Sequence, residues 1–363
     1  MIIKYLELSD FRNYDEMHID LSPNTNIFFG DNAQGKTNIL EAVFLTGTTK
    51  SHKGSHDADI ISFGKSFGVI RALFNKNGID YKIGIQLRRD KRKAISVNGS
   101  PIKKAADLLG IVNVVLFSPE DLSIIKSGPE KRRRFIDMTL CQIDKEYLFA
   151  LSGYNKIINQ RNKLLKKYDK RVDISDTLDI WDDQLVNYGN QVIKKRKEFI
   201  IDIKDLLKDI HFNLTGNDDI LNIEYKENTG EEEYKEKLIR SRERDIIFKN
   251  TSIGPHRDDI VFNINDIDVK KFGSQGQQRT VALALKLSEI EIIKKAVDDT
   301  PILLLDDVLS ELDMNRQRYL LESLGDTQTL ITCTGLDEFV NNRFEINKCF
   351  KVSKGKIEEV NND

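Results

Sequence analysis

The chain has 363 residues, with 56 lysines and arginines against 58 aspartates and glutamates and a formal net charge of −2, a length that predicts about two domains. Its 39% hydrophobic and 31% charged residues exclude a wholly disordered chain, and no apolar run approaches the ~18 residues of a membrane span. Three scattered cysteines exclude a disulfide scaffold or a zinc site, and the N-terminus is no signal peptide, so we expect a cytoplasmic protein.

The first hundred residues predict short strands and hairpins. Residues 2–11 alternate apolar and polar side chains, and the run NIFFG predicts a short buried strand. Asn77-Gly78 separates two alternating runs, and this dipeptide favours the type I′ turn of a β-hairpin. Asn98-Gly99 marks another turn.

The middle of the chain predicts helices, because apolar residues recur at three- and four-residue spacing from about Pro119 to Ile210. Within it, residues 126–171 hold thirteen Lys/Arg against five Asp/Glu, a charge of +8, so the rest of the chain sums to −10. Such a segment is typical of a polyanion-binding surface or of a solvated helical face, and charge alone leaves both open.

The last third predicts alternating helices and strands. Residues 211–250 are polar, and the stretch GEEEYKEKLIRSRERDI predicts a surface helix. Strands return after Ile260, a helix follows over Gln277–Val297, and PILLLDD and TLITCTG read as buried parallel strands. The layout predicts an α/β fold in which residues 1–112 and 250–363 form one lobe and residues 113–249 form an inserted, mainly helical lobe.

A phosphate-binding motif follows the NIFF strand. The run GDNAQGKT matches G-x-x-x-x-G-K-[ST] and opens the helical pattern NILEAVFL, the strand–loop–helix context of a P-loop. Glycines let successive N–H groups curl around an anion, Lys36 supplies a catalytic charge to the β- and γ-phosphates of ATP, and Thr37 offers a hydroxyl to Mg²⁺. The predicted ATP-binding residues are Gly30, Asp31, Asn32, Ala33, Gln34, Gly35, Lys36 and Thr37.

A carboxylate pair ends the ILLL strand. Asp306 is placed to hold Mg²⁺, and Asp307 is placed to polarise the attacking water as the catalytic acid–base residue. The alternative is that both aspartates cap the next element. Beside a P-loop, the metal and catalytic roles are favoured.

A second candidate anion site lies just before the long helix, in the run KFGSQGQQR. A Ser-x-Gly-Gln loop at a helix N-terminus can receive a phosphate, whereas the simpler alternative is that Ser274 is an N-cap. ABC-type ATPases have such a signature before the Walker B strand, which here is the ILLL strand that ends at Asp306. A D-loop follows that strand, and SELD at 310–313 fits it. The predicted signature residues are Ser274, Gln275, Gly276 and Gln277.

These motifs together resemble the RecF family of recombination mediators, within the SMC-like ABC ATPases. The resemblance extends to LSDFRNYDE and KSHKGSHDADII near the N-terminus and to FSPEDL and GPEKRRRFID in the centre. It continues in YNKIINQRNKLLK, WDDQL and TSIGPHRDDI and in the long run KFGSQGQQRTVALALKLSE. It therefore covers nearly the whole chain, and residues 211–250 are the least distinctive part.

The resemblance implies an ABC-type P-loop ATPase lobe with an inserted helical lobe and no long coiled coil. It implies an ATP-driven homodimer, with each P-loop facing the other copy's signature loop, that binds single- and double-stranded DNA without reading sequence. It further implies action at gaps in repair and replication restart, loading of RecA with RecO and RecR, support of the SOS response, and slow, DNA-stimulated ATP hydrolysis.

Three positions depart from related ATPases. Asp307 stands where glutamate is common, which fits the resembled family and favours slow hydrolysis. Thr332 or Thr334 occupies the place of the switch histidine of transporter-type ABC proteins, and Lys53 stands where arginine is expected. The switch role therefore stays open between the two threonines.

Other functions compete with this interpretation. A transporter ATPase subunit is disfavoured by the DFRNY strand and the missing switch histidine, and a small-molecule P-loop kinase is disfavoured by the signature and D-loop. An SMC-like head used in phage defence needs an effector domain, for which we expect no room in this chain.

Two smaller clusters also leave alternatives. His256, Asp258 and Asp259 resemble a metal site, although their spacing favours structural hydrogen bonds. The arginines at 132–134 are equally suited to phosphate contact and to ion pairs at a helix start.

Overall fold

The computed structural model describes residues 1–168, 174–216, 219–325, 327–336 and 346–360. The chain divides into two compact units, a first unit of Met1–Asp121 with Glu289–Asp363 and a second unit of Leu122–Ser288. The first unit is therefore built from both ends of the chain, and the second unit is inserted between them. Among the described residues, no helix combines the length and apolar character that a bilayer crossing requires.

An antiparallel sheet forms one layer of the first unit. Its strands are β1 (Ile2–Phe11), β2 (Tyr14–Asp20), β4 (Phe67–Lys76), β5 (Ile79–Arg88), β6 (Ala94–Val97) and β7 (Ser100–Pro101), in the order β2-β1-β4-β5-β6-β7. The predicted hairpin turn is confirmed, because Asn77 (φ 51°) and Gly78 (φ 80°) both adopt the left-handed conformation that a type I′ turn requires. Asn98 and Gly99 do the same between β6 and β7.

A mainly parallel sheet forms the other layer. Its strands are β3 (Thr25–Phe29), β8 (Val114–Phe117), β12 (Ile302–Asp306), β13 (Thr329–Cys333), β14 (Lys348–Ser353) and β15 (Lys356–Val360), in the order β15-β14-β3-β13-β12-β8. Strands β12 and β13 pair in parallel and are buried throughout. The apolar runs PILLLDD and TLITCTG therefore form central strands as predicted, since a parallel strand covered on both faces is apolar along its length.

The helices of the first unit are short apart from the one that follows the P-loop motif. They are α1 (Lys36–Thr48), α2 (Asp57–Ile60), α11 (Met314–Ser323) and the 3₁₀ turns Ala105–Leu108, Pro119–Asp121 and Leu309–Glu311. Helix α1 buries almost all of its side chains, including Glu41. Its single buried carboxylate requires a partner, which is described below.

The second unit is mainly helical with a small antiparallel sheet. Its helices are α3 (Leu122–Lys126), α4 (Pro129–Ile143), α5 (Lys145–Lys167), α6 (Ser175–Thr215), α7 (Tyr234–Arg240), α8 (Arg242–Phe248), α9 (Val269–Phe272) and the 3₁₀ turn Pro255–Arg257. Strands β9 (Leu221–Lys226), β10 (Asp259–Ile264) and β11 (Ile267–Asp268) pair in the order β11-β10-β9. The predicted surface helix of residues 230–246 is two short helices, and Tyr234 and Leu238 are buried.

The boundaries of the units differ from the predicted ones at 112 and 249. The second unit begins at Leu122 and extends to Ser288. Its part beyond residue 249 includes β10, which pairs with β9 along its whole length. The chain returns to the first unit within helix α10 (Gln275–Val297). The loop before α10, which carries the predicted signature, therefore belongs to the second unit.

Buried charge pairs hold the second unit together. Arg161 is fully buried and donates to Asp182 and Asp245, each at 2.7 Å. Arg196 donates to Asp137 at 2.8 Å and to Asp258 at 3.2 Å. Removing one member of such a pair leaves an uncompensated buried charge, so these contacts fix how the helices pack.

The cluster around His256 also makes structural contacts. His256 Nδ1 lies 2.6 Å from the Tyr154 hydroxyl and Nε2 lies 3.0 Å from the Thr251 carbonyl, and burial lowers the pKa of this histidine to about 4. Asp259 accepts two hydrogen bonds from Arg132, at 2.6 and 3.0 Å. Within the described part of the chain no group of acidic, histidine and cysteine side chains forms a metal cluster, so hydrogen bonds and ion pairs account for this region.

Candidate nucleotide-binding site

The predicted P-loop has the backbone that its sequence requires. It connects β3 to α1, and Gly30 (φ 145°), Ala33 (φ 64°) and Gly35 (φ 116°) all have positive φ. A Cβ on Gly30 would lie 2.4 Å from the Val352 carbonyl oxygen, and a Cβ on Gly35 would lie 2.5 Å from the side-chain nitrogen Nδ2 of Asn13. Glycine is therefore required at both positions by conformation and by space.

Lys36 lies across this loop. Its side chain is buried, and Nζ donates to the carbonyl oxygens of Gly30 at 2.5 Å and Asp31 at 2.8 Å. The N-cap of helix α1 is Gly35, which has no side chain to accept from the N–H groups of the first turn. An ammonium group and a helix N-terminus thus converge on one cradle, an arrangement that binds the phosphates of a nucleotide.

Thr37 and Asp306 meet beside this cradle. Thr37 Oγ1 donates to Asp306 Oδ1 at 2.7 Å, and Thr332 Oγ1 donates to the same oxygen at 2.8 Å. Asp306 ends β12 and is 8% exposed. A hydroxyl and a carboxylate at this distance are the oxygen donors that Mg²⁺ takes beside nucleotide phosphates, so the donor set fits that ion.

Asp307 follows in an unusual conformation. Its φ is 54°, and its N–H donates to both the carbonyl and the hydroxyl oxygen of Thr332, at 3.2 and 3.0 Å. A left-handed non-glycine residue costs free energy and is held here by the pairing with β13. Thr332 therefore contacts both aspartates, which favours it over Thr334 for the open switch position.

The P-loop is braced by residues to which the sequence analysis gave no role. Asn13 Nδ2 donates to the Gln34 carbonyl at 2.9 Å, and the Tyr14 hydroxyl donates to the Gly35 carbonyl at 3.0 Å. Burial raises the pKa of Tyr14, so this hydroxyl keeps its proton. From the β14–β15 turn, the Gly355 N–H donates to the Gln34 carbonyl at 3.2 Å. In the sequence, the run LSDFRNYDE, which resembles the RecF family, was the signal that could have revealed Asn13 and Tyr14.

A buried ion pair fixes the middle of α1. Arg12 contacts both oxygens of Glu41, at 2.8 and 2.9 Å, and Ser51 donates to the same carboxylate at 2.5 Å. Burial alone would raise the pKa of Glu41, but the hydrogen bonds from Arg12 and Ser51 lower it overall. A glutamate inside the apolar run NILEAVFL was the signal that could have revealed this pair.

The predicted signature loop is a helix start. Helix α10 begins at Gln275, earlier than the predicted Gln277, because Ser274 caps it. Gln277 N donates to Ser274 Oγ at 3.2 Å, and Ser274 N donates to Gln277 Oε1 at 2.9 Å, a reciprocal capping box. Ser274, Gln275 and Gly276 are exposed. Within one chain Ser274 is therefore an N-cap. Because the loop is exposed, it could still bind an anion.

The predicted D-loop is an ordered turn after β12. Ser310 Oγ donates to the Asp307 carbonyl at 2.9 Å, and Asp313 caps α11 by accepting from Arg316 N at 3.0 Å. The first unit therefore gathers the P-loop, Asp306, Asp307 and this turn, whereas the signature residues 274–277 lie in the second unit.

Comparison with known families matches almost the whole chain. A family model described as the RecF/RecN/SMC N terminal domain matches residues 2–358. The chain is 55% identical over 360 residues to the DNA replication and repair protein RecF of Agathobacter rectalis, covering 99% of each chain. It is 53% identical over 363 residues to RecF of Lachnospira eligens, covering 99% of this chain and 100% of that one.

Solved structures give the same result. A structure of the recombination mediator protein RecF-ATP in the RecFOR pathway has a TM-score of 0.93 at 35% identity, covering 99% of this chain and 97% of that one. Its RecF-ATPrS counterpart has a TM-score of 0.92 at 35% identity, covering 99% and 98%. The Smc head domain of Pyrococcus furiosus, at 17% identity and a TM-score of 0.57 over 99% and 95%, shares the fold.

Proposed function

The chain belongs to the RecF family, within the RecF/RecN/SMC group, and we propose from this premise that it is an ATP-dependent DNA-binding protein of recombinational repair and replication restart. The observation that carries the proposal is the nucleotide site of the first unit, where Lys36 closes a glycine-bounded loop beside the Thr37–Asp306 pair. RecF relatives are named as replication and repair proteins, and their structures are described with ATP.

The chemistry of the site is ATP binding followed by hydrolysis. Lys36 and the first-turn N–H groups of α1 hold the phosphates, and Asp307 orients the attacking water and accepts its proton. Thr37 and Asp306 would hold Mg²⁺, which would neutralise charge on the phosphate oxygens. Slow, DNA-stimulated turnover is part of the proposal, supported by the shorter aspartate at 307 in place of glutamate.

ATP joins two copies of the chain in this proposal. The support is the exposed α10 start: Ser274 and Gly276 are open to solvent, and a Cβ on Gly276 would meet nothing closer than Ser274 Oγ at 3.9 Å. Phe272 beside them is 74% exposed. A surface with an open helix N-terminus and an exposed aromatic suits contact with the nucleotide of a second copy in a two-fold arrangement.

DNA contacts the second unit through α5. Lys145, Lys156, Lys163 and Lys167 are exposed and separated by eleven, seven and four residues, which places them on one helical face. Across the described span of α5, Glu146 is the only acidic residue. The basic segment found in the sequence thus divides, because Arg132 and Arg161 are used in buried ion pairs and the α5 lysines face solvent. Such lysines suit phosphate contacts without base reading.

The wider setting of the proposal comes from the relatives. RecF structures are described in the RecFOR pathway, which supports RecO and RecR as partners. Loading of RecA at single-strand gaps, support of the SOS response and action in the cytoplasm complete the proposal.

Sedimentation velocity with and without ATP and DNA tests it. The wild type should sediment as a heavier species with ATP and bind DNA in that state, whereas Lys36→Ala should stay monomeric. A wild type that neither dimerises with ATP nor binds DNA would refute the proposal. Lys204→Ala, which removes an exposed lysine of α6 in the second unit, is the control for loss of charge.

A further inference from the structure

A strongly basic loop connects β5 to β6 in the first unit. Residues 88–93 read RRDKRK, five cations and one acid, which by subtraction gives +4 over six residues. The ladder between the strands ends at the pair Gln86–Ala94, so the loop lies beyond it. Neither the nucleotide chemistry nor the α5 surface explains this charge.

One cation anchors the entry to the loop. Arg89 donates from Nε to the Lys65 carbonyl at 2.6 Å and from Nη2 to the Ser62 carbonyl at 3.2 Å. Its backbone N–H donates to the Ser66 carbonyl at 3.3 Å. The start of the loop is therefore fixed to the segment that follows α2.

A second cation anchors the exit. Lys93 Nζ donates to the Thr49 carbonyl at 2.6 Å and to Asp57 Oδ1 at 2.8 Å, and its side chain is only 14% exposed. Thr49 is the C-cap of α1, with φ 62°, and its N–H donates to the Leu45 carbonyl at 2.9 Å. The loop thus contacts the far end of the helix that begins at Lys36.

The tip of the loop is different. Lys91 and Arg92 are exposed, and the hydrogen bonds and ion pairs seen among the described residues include neither side chain. A surface cation without a partner adds little to folding, so its charge is available to a ligand. No apolar side chain lies within residues 88–93, whereas attachment to a lipid surface draws on buried apolar area as well as charge. A backbone of phosphates suits the tip better.

We propose that Lys91 and Arg92 bind the phosphate backbone of DNA and that Lys93 is a positioning residue that links this contact to α1 and the P-loop. Almost all side chains of α1 are buried, so the helix moves as one body, and its 13 residues span about 20 Å between the loop contact and the nucleotide site. The inference rests on the proposed function, because it names a second DNA surface for the same nucleotide-dependent protein.

Fluorescence anisotropy of a labelled duplex, measured with ATP over a series of salt concentrations, tests the surface. The double variant Lys91→Gln/Arg92→Gln should bind about tenfold more weakly at low salt, and its log–log salt slope should fall by about 1.8, since each phosphate contact contributes about 0.9. Its ATP turnover without DNA should equal that of the wild type. The control Lys204→Gln/Lys208→Gln removes two exposed charges from α6, where Asp202 precedes both lysines and Asp205 lies between them. This control should bind DNA within about twofold of wild type.

The outcomes distinguish a failure of the proposed function from a failure of the DNA contact at Lys91 and Arg92. If the wild type binds no DNA, the proposed function fails and this inference fails with it. If the wild type binds but the loop variant loses no more than the control, only the inference is overturned. Binding to vesicles of anionic lipid that the loop variant loses, with its DNA affinity unchanged, would assign the loop to a lipid surface and also overturn it.

The link through Lys93 has its own readout, the ratio of ATP turnover at saturating DNA to turnover without DNA. Lys93→Gln should bring this ratio close to one, and Lys93→Arg should restore it because arginine keeps the charge and can donate to Thr49 and Asp57. A wild-type ratio of one, or an unchanged ratio in Lys93→Gln, would overturn the positioning role.

Discussion

The P-loop and the proposed signature loop each precede a helix, and they differ in how the loop is held and in the charge that it carries. The P-loop of the first unit has residues of positive φ and a buried lysine, and Asn13, Tyr14 and Gly355 hydrogen-bond to it from other segments. The signature loop of the second unit is exposed, and Ser274 and Gln277 cap its helix reciprocally. The first loop has its own cation, whereas the second offers only backbone and a hydroxyl.

This difference gives the two loops unequal roles in the proposed dimer. Hydrogen bonds from other segments hold the P-loop in place, so nucleotide binding there loses little free energy to ordering. The signature loop has no cation of its own among residues 274–277, so in the proposed dimer its phosphate contact depends on the P-loop of the other copy.

The largest effect is expected at Asp307. Asp307→Asn removes the proton acceptor and should slow ATP hydrolysis by about 100- to 10,000-fold, the usual range for a general base. ATP affinity should stay close to wild type, because Lys36 and Thr37 are unchanged, and the dimer should persist with ATP. Single-turnover hydrolysis together with nucleotide binding checks both parts. Normal turnover in Asp307→Asn would mean that another residue is the base.

Acid should destabilise the second unit through His256. Its pKa is about 4 in the folded chain and about 6.5 when unfolded, so between these values only the unfolded state gains the proton. The free energy of unfolding should therefore fall as the pH drops from 6.5 to 4, by up to about 3 kcal/mol from this group.

Urea unfolding at several pH values measures this effect. His256→Gln keeps donor and acceptor atoms near Tyr154 and Thr251 but does not titrate, so its stability should change less over the same interval. Parallel pH curves for the wild type and His256→Gln would contradict the assignment.

The next largest effect is expected when the charge of Lys36 is removed from the P-loop. Lys36→Ala should weaken ATP binding by about 30-fold, or about 2 kcal/mol, because a charge-assisted contact with the phosphates is lost. Lys36→Arg keeps a charge in the wrong geometry, so hydrolysis should fall further than affinity. Titration calorimetry and steady-state turnover give the two quantities, and equal turnover in wild type and Lys36→Ala would refute the P-loop assignment.

The smallest effect concerns the cap of the signature helix. Ser274→Ala removes the acceptor of the Gln277 N–H and should lower the free energy of unfolding by about 1 kcal/mol. Ser274→Thr, which keeps a capping hydroxyl, should be close to wild type. If the alanine variant were as stable as the wild type, the reciprocal cap would contribute nothing and the contrast between the two loops would weaken.

Sequence reasoning found the parts of the site that are local in the chain. The run GDNAQGKT and the strand ending at Asp306 are each continuous, so spacing and apolar pattern suffice to predict them. The Asn77-Gly78 turn was predictable for the same reason. The role of Ser274 stayed open, by contrast, because its sequence context fits both an N-cap of α10 and a phosphate ligand.

What the sequence could not predict depends on contacts between distant segments. Gly355 lies against Asn13, where a Cβ would approach the Asn13 carbonyl oxygen to 2.1 Å, although some 340 residues separate them. The pairing of β10 with β9 likewise places residues beyond 249 in the second unit, and strand pairing is not encoded in either strand alone.

The most direct test of the central claim is to mix two defective chains. Ser274→Arg keeps a working P-loop and blocks its own signature loop, whereas Lys36→Ala keeps a working signature loop and a defective P-loop. Each alone should fail to form an active dimer with ATP. In the mixture, one complete site can form per mixed dimer, so ATP turnover should exceed the sum of the separate proteins while staying below wild type. A Ser274→Arg protein that dimerises with ATP as the wild type does, or a mixture without recovered turnover, would contradict the claim that each copy completes the other's site.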